Sequence, residues 1–199
     1  MLDVACGKGR HSVQLAEKGH IVTGIDISPN SIASAKQFEN NDLEFYRHDM
    51  RLPFRINYYH YVFNLFTSFG YFNTRREHDD TLRTIASSLR PGGFFILDYL
   101  NSVYVGQRLV ASEEKQVGNT LYRIKRHKTE THFFKEIEIT DPSLPRPVSY
   151  TEKVAAFTQA DFEAMFRKQG LQVKHWFGDY SLNSFHETKS KRLIVIAEK

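Results

Sequence analysis

The sequence contains a single cysteine, Cys6, among 199 residues. It can close no intramolecular disulfide, and no second thiol stands by to share a structural zinc. Long hydrophobic runs are missing as well: no uninterrupted apolar stretch approaches the ~20 residues that span a bilayer, and the N-terminus lacks a charged-then-apolar leader. The expectation is a cytoplasmic protein that does not enter a membrane. Neither sign of charge dominates, since 27 Lys and Arg stand against 23 Asp and Glu for a formal charge of +4. That excess is too modest and too scattered to argue for a polyanionic partner. The nine histidines show no metal-ligand spacing; His11 and His20 flank one helix, and His48 and His60 fall on different elements. No metal is expected, and there are no internal repeats or low-complexity tracts.

What the chain has in plenty is aromatic. Its 16 Phe and 10 Tyr serve a core before any of them is free to stack on a ligand. Up to about residue 99, short apolar runs alternate with amphipathic stretches, the pattern of βαβ units feeding a parallel sheet. Strands are expected at 1–5, 20–27, 43–47, 60–66 and 94–99. Helices are expected at 10–18, closed by Gly19; at 29–39, capped by Ser28 with Pro29 in the first position; and at 75–90, where Leu82, Ile85, Ala86 and Leu89 share a face. Pro91-Gly92-Gly93 reads as a tight turn. From 119 to 157 the alternation predicts three antiparallel strands, with the proline-bearing stretch 141–147 as a loop between two of them. They read as an insertion, about 104–157, within a single domain spanning 1–199. Thr158 and Asp161 suit a capping box for a helix that buries Phe162, Met165 and Phe166. Two strands near 171–180 and 192–198 follow. The fold class is α/β, a doubly wound, mostly parallel seven-stranded sheet with a reversed C-terminal hairpin and an inserted antiparallel β segment.

The strongest chemical signal is Leu2-Asp3-Val4-Ala5-Cys6-Gly7-Lys8-Gly9, where a strand ends in a glycine turn and a helix begins at once. Gly7 and Gly9 let the backbone approach a ligand that a Cβ would hold off. In an open parallel sheet this edge borders the crevice where ligands bind. A Gly-x-Gly alone is weak, because turns use glycine for conformation. It gains force from Asp26, at the end of the second strand, where a carboxylate can accept hydrogen bonds from both hydroxyls of a ribose. Asp26 could instead cap the next helix, but Ser28 fills that role better. A dinucleotide dehydrogenase is disfavoured, since Ser12 stands where its fingerprint has a third glycine.

Four blocks, Leu2 to Gly9, Gly24-Ile25-Asp26-Ile27-Ser28, His48-Asp49-Met50-Arg51 and Leu89-Arg90-Pro91-Gly92-Gly93, together resemble the class I (Rossmann-like) S-adenosylmethionine-dependent methyltransferase family. The resemblance runs the length of the chain except for the antiparallel insertion. It implies S-adenosylmethionine as cofactor, with S-adenosylhomocysteine as product. Asp3, with the backbone from Ala5 through Gly7 to Gly9, would hold the methionine part, and Asp26, with Ile27 beside it, the ribose. Asp49 would take the adenine amino group with Met50 against the ring, and a backbone carbonyl of Asn64-Leu65-Phe66 would lie near the methionyl ammonium. Read from the residues alone, Asp49 is equally a turn carboxylate before Pro53, and Asn64 a polar residue closing a strand. Members of this family carry helices ahead of the first strand that cover the cofactor. Here Met1 lies inside that strand, so the expectation is a crevice without those cap helices.

The sulfonium is an activated leaving group, so alignment and exclusion of water do most of the work and no catalytic dyad or triad is expected. Tyr71 and Tyr99, in or next to loops at strand C-terminal ends, are the candidate acceptor-site residues, with packing as their alternative. The basic run Arg123, Lys125, Arg126, His127, Lys128 is read as the solvated face of a hairpin, paired with Glu136 and Glu138, in preference to a nucleic-acid contact. The expected activity is methyl transfer to a small-molecule acceptor. A non-catalytic S-adenosylmethionine-binding protein and an RNA-modifying methyltransferase stay open as alternatives.

Overall fold

The computed structural model describes residues 1–199 and contains two sheets. The first half alternates β1 (Leu2–Val4), α1 (Arg10–Glu17), β2 (Val22–Asp26), α2 (Pro29–Ala35), β3 (Leu43–Arg47), β4 (Tyr59–Asn64), α3 (Arg75–Ser88) and β5 (Leu89–Leu100). The central β1 and β2 are buried along almost their whole length, as strands covered on both faces are, whereas the edge strand β3 ends exposed at Tyr46 and Arg47. The helices start where their caps dictate. Ser28 accepts from the Ser31 N–H ahead of Pro29, and Thr74 with Glu77 forms a full capping box at α3. After α4 (Ser102–Gln107) come β6 (Ser112–Val117), β7 (Thr120–Lys128), β8 (His132–Thr140) and β9 (Val148–Ala155), then α5 (Gln159–Lys168), β10 (Gln172–Phe177) and β11 (Arg192–Glu198). No helix is long and apolar enough to cross a membrane.

The large sheet has the order β10-β11-β5-β4-β1-β2-β3. The first five strands are parallel, and β11 runs antiparallel to both β5 and β10. Strand order reverses between β1 and β4, so the C-terminal ends of those two strands frame the crevice that such sheets use for ligands. The main core packs Phe69, Phe95, Tyr99, Phe162 and Phe166, all fully buried, which accounts for much of the aromatic surplus. A smaller cluster of Cys6, Val22, Ile32, Ala35, Leu43 and Phe45 backs the glycine turn.

Three details depart from the sequence expectations. The inserted sheet has four strands, in the order β6-β7-β8-β9. Its first strand, SEEKQV, has every residue exposed, so it carries no alternation to read and is held by pairing with β7. The helix α4 is capped by the Asn101 side chain, which accepts from the N–H groups of Val103 and Tyr104. Pro91-Gly92-Gly93 does not separate helix from strand. It is an irregularity inside β5, where Tyr59 pairs with Leu89 and Tyr61 with Phe94, and Gly92 takes φ 75° to make the kink.

Candidate active site

The crevice is built on the turn that ends β1. Ala5 at φ 61° and Gly7 at φ 57° lie in the left-handed region, and Gly9, at φ 82°, caps α1. A non-glycine residue held there is the kind of strain that ligand sites store. The glycines differ in purpose. A Cβ at Gly9 would stand 2.5 Å from the Phe45 ring, so its absence serves packing, whereas a Cβ at Gly7 would meet nothing within 4 Å. Gly7 is therefore glycine for conformation, and its turn presents bare backbone to open space. Its N–H donates to Asp26 Oδ2 at 2.9 Å, and the Ser28 N–H donates to Asp26 Oδ1 at 2.8 Å. Two backbone donors thus fix the carboxylate at the end of β2, with lone pairs left for further donors.

Asp3 sits beneath this turn, 2% exposed, and accepts from Ser12 Oγ at 2.6 Å. Burial, opposed by that hydrogen bond and reinforced by the nearby charge of Asp26, raises its carboxyl to about 6. A buried carboxylate next to open backbone is suited to a cationic ligand, whose charge would repay its desolvation. Burial also pushes the Cys6 thiol far up, so it is inert packing.

Ala5, Asp26, Ile27, Asp49 and Met50 come together around one small apolar cavity of about 70 Å³, with Ile25, His48 and Phe72 completing the wall. The Asp49 carboxylate is held by Arg51, whose Nε and Nη2 both donate to it, and Arg51 Nη1 reaches Glu77 at 2.5 Å. The Arg51 guanidinium keeps Asp49 below the usual carboxylate range. At the end of β4, Asn64 is fully buried. Its Nδ2 donates to the Val4 carbonyl at 3.1 Å, while its Oδ1 has no partner. The Leu65 carbonyl already accepts from both the N–H and the hydroxyl of Ser68. The unpaired acceptor at this edge is thus the Asn64 side chain.

Phe66 and Thr67 follow with φ 57° and 60°. They are held there by Asp98, a buried carboxylate in β5 that sequence reading passed over. Asp98 accepts from the Phe66 N–H at 3.0 Å, the Tyr180 hydroxyl at 3.1 Å and Arg192 Nε at 2.7 Å, and Arg192 Nη2 donates to Thr67 Oγ1 at 2.9 Å. The exposed Phe66 ring stacks between His11 and Tyr180. The available signal was a lone acid inside the apolar run Phe94-Phe95-Ile96-Leu97-Asp98-Tyr99.

A family model described as "Methyltransferase domain" matches residues 1–170. The chain belongs to the methyltransferase family. Its α/β fold, its enzyme class and its use of S-adenosylmethionine, implied by the four motif blocks, stand with that membership. It is 26% identical over 185 residues to the dTDP-3-amino-3,4,6-trideoxy-alpha-D-glucopyranose N,N-dimethyltransferase of Streptomyces venezuelae, covering 89% of this chain and 77% of that one. To the dTDP-3-amino-3,6-dideoxy-alpha-D-glucopyranose N,N-dimethyltransferase of Streptomyces fradiae it is 25% identical over 180 residues, 87% of this chain and 70% of that one. In fold it is similar to a S-adenosylmethionine-dependent methyltransferase from Clostridium acetobutylicum, with TM-score 0.87 at 17% identity, covering 99% of this chain and 82% of that one.

This methyltransferase has a second, larger crevice beside the first. It measures about 240 Å³ and lies between the loop after β4 and the inserted sheet, with Thr67, Tyr71, Leu100 and Arg192 on one wall and Arg126, Phe133, Lys135, Glu152 and Val154 on the other. Tyr71 lies half exposed on this crevice. Tyr99 does not. It is fully buried among Phe69, Phe157 and Phe162, and its hydroxyl donates to the Ala155 carbonyl. The Ala155 N–H in turn donates to the Gly70 carbonyl at 2.9 Å. Tyr99 thus supports the crevice from behind by tying β9 to the loop that carries Tyr71, and it has no surface with which to meet an acceptor. The basic run is drawn into ion pairs, Arg123 with Glu114 and Glu138 and Arg126 with Glu113, and His127 stacks on Phe134.

Proposed function

We propose that this methyltransferase moves a methyl group from S-adenosylmethionine to an amine nitrogen of a small polar acceptor of sugar size. The observation that carries the acceptor class is the crevice of about 240 Å³, which opens at the strained Phe66-Thr67 turn where β4 ends beside the glycine turn. Its volume lies just below the roughly 300–1,000 Å³ of drug-sized pockets, so it suits one ring or a short chain and not a folded polymer. Support for nitrogen as the target comes from the Streptomyces relatives, both of which are named N,N-dimethyltransferases of nucleotide-linked amino sugars.

The residues fit the cofactor. The bare turn at Gly7 and the Asp26 carboxylate suit a ribose, the Asp49 and Met50 cavity suits the adenine, and Asp3 with the unpaired Oδ1 of Asn64 suits the methionyl ammonium. Bound there, S-adenosylmethionine supplies an activated methyl on a sulfonium. The chain's part is to orient and to keep out water: the Asp98–Arg192 pair fixes the Phe66-Thr67 turn, whose Thr67 lines the larger crevice, and Tyr99 ties the inserted sheet to the loop that carries Tyr71. No side chain here is assigned as a general base. Arg123 and Arg126 of the 123–128 run are held by acids, which leaves Lys125 and Lys128 as its lysine charges, too few for an electrostatic footprint on RNA, so the RNA-modifying reading is the weaker one.

The test is S-adenosylhomocysteine release from purified protein given S-adenosylmethionine and three acceptor sets: dTDP-3-amino-3,6-dideoxyglucose, glycine, and an unmodified RNA. Product with an amine, and a matching mass gain on nitrogen, supports the reading. Turnover of RNA alone, or cofactor binding without turnover on amines, refutes it.

A further inference from the structure

We infer that Glu152, on β9, is the carboxylate that recognises the acceptor's amine and sets a preference for an amine over the corresponding hydroxyl. The inference rests on the proposal of a small amine acceptor. It begins with strand register. In the pairing of β8 with β9, Phe133 lies opposite Val154, Lys135 opposite Glu152 and Ile137 opposite Tyr150, so all six side chains share one face. Phe133, Ile137 and Val154 are buried while Tyr150 is 47% exposed, so that face turns inward at its Phe133–Val154 end. Lys135 and Glu152 are a charged pair set on it, their side chains 36% and 37% exposed, where alternation calls for apolar residues. An ion pair needed only to hold two strands together would serve as well on the outer face.

The pair is also loosely made. Lys135 Nζ reaches Glu152 Oε2 at 3.2 Å, and Glu152 Oε1 accepts no hydrogen bond within the chain. Glu152 is the single acid lining the crevice, against Arg126, Lys135 and Arg192. Arg126 is taken by Glu113 and Arg192 by Asp98. An ammonium entering this crevice therefore has one carboxylate to meet, and that carboxylate has an oxygen free. Tyr71 faces the same space; its hydroxyl is pushed up by burial and then by the charge of Glu152, which places the two within electrostatic reach.

The position is rigid as well. Three residues along β9, Ala155 is pinned through its N–H to Gly70 and through its carbonyl to Tyr99, so Glu152 keeps a fixed place relative to the loop that leaves β4. The chemistry agrees with this placement. The ammonium first gives a proton to water, which frees the nitrogen lone pair; as that pair takes the methyl, the C–S bond breaks, its electron pair stays on sulfur, and positive charge passes from sulfur to nitrogen, whose surplus proton then leaves to water. A carboxylate facing the nitrogen stabilises that charge, and it discriminates against a hydroxyl, which carries none.

The test measures binding apart from turnover, so the acceptor proposal and this one fail separately. Two matched pairs, dTDP-3-amino-3,6-dideoxyglucose with dTDP-6-deoxyglucose and glycine with glycolate, are titrated by calorimetry into the S-adenosylhomocysteine complex. The panel covers the wild type, Glu152→Gln, Glu152→Asp and Lys135→Met. Wild type is expected to prefer the amine of at least one pair by about tenfold, the scale of a single charge-assisted contact. Glu152→Gln should abolish the preference while leaving S-adenosylmethionine affinity intact. Glu152→Asp keeps the charge and should retain part of it, and Lys135→Met should retain all of it. Equal loss in Glu152→Gln and Lys135→Met would reduce the pair to a structural bridge and overturn the inference. An amine preference that survives Glu152→Gln, or no amine preference in wild type, would overturn it too. Turnover of an amine without these effects would leave the proposed function standing and remove Glu152 from it.

Discussion

Replacing Asp3 by asparagine should make the ligand-free protein more stable at neutral pH and less able to bind its cofactor. The carboxyl is raised from 3.8 to about 6, chiefly by burial, so folding favours its protonated form. The sign follows from linkage: the associated stability is fully present below the unfolded value near 4, is lost as pH climbs through 6, and stays lost above. Holding Asp3 ionised in the fold at pH 7.5 therefore costs about 3 kcal/mol, an order-of-magnitude figure from 1.36 kcal/mol per pK unit. The amide of Asp3→Asn carries no charge and can still accept from Ser12 Oγ. Urea unfolding of both proteins without cofactor should give a gain for the variant of about 1 kcal/mol at pH 4.5, growing with pH towards the full figure at pH 7.5. Calorimetry should show the opposite for S-adenosylmethionine, weaker by about tenfold or more, because the cationic ligand loses its buried counter-charge. A stability difference that does not change with pH, or a destabilised variant with unchanged cofactor affinity, would refute the account of Asp3 as a buried charge kept for binding.

The remaining predictions concern the other supports of the crevice. Asp26→Ala removes the acceptor oriented by the Gly7 and Ser28 N–H groups and should weaken S-adenosylmethionine by about 100-fold, two charge-assisted hydrogen bonds' worth, with circular dichroism unchanged. Asp98→Asn leaves Arg192 unmatched next to Thr67 and should cost about 3 kcal/mol of stability in urea, the usual penalty for breaking a buried pair. Gly70→Ala brings a Cβ against the Tyr99 hydroxyl at a φ of 98°. It should lower stability by about 2 kcal/mol, with partial recovery in the double variant that adds Tyr99→Phe; no recovery would count against that contact.

Much of the proposed cofactor side was legible because it depends on local chemistry. A glycine turn after an apolar strand, a capped helix and an acid at the next strand's end are written in contiguous residues, and the structure gathers Ala5, Asp26, Ile27, Asp49 and Met50 at one cavity. The proposed acceptor side was hard to read because its parts are far apart in sequence. Tyr99 and Tyr71 look equivalent as aromatic residues near strand ends, yet one is a core anchor and the other lines the crevice. Only the hydrogen bonds from Tyr99 to Ala155 and from Ala155 to Gly70 separate them. The first strand of the insertion escaped notice since an exposed polar edge strand has no periodicity to detect.

By itself, the sequence determined the α/β class, the direction of the first five strands and the residues of the glycine turn, because hydrophobic period, caps and turn chemistry act over a few residues. Tertiary structure alone decided which long-range partners meet: Asp98 with Arg192, 94 residues apart, and Asn64 with Val4, 60 residues apart. It also decided that the Lys135 and Glu152 pair lines the crevice, since one residue of register would have put it on the other face of the sheet. Such pairings follow from how the sheets stack, which no local pattern encodes.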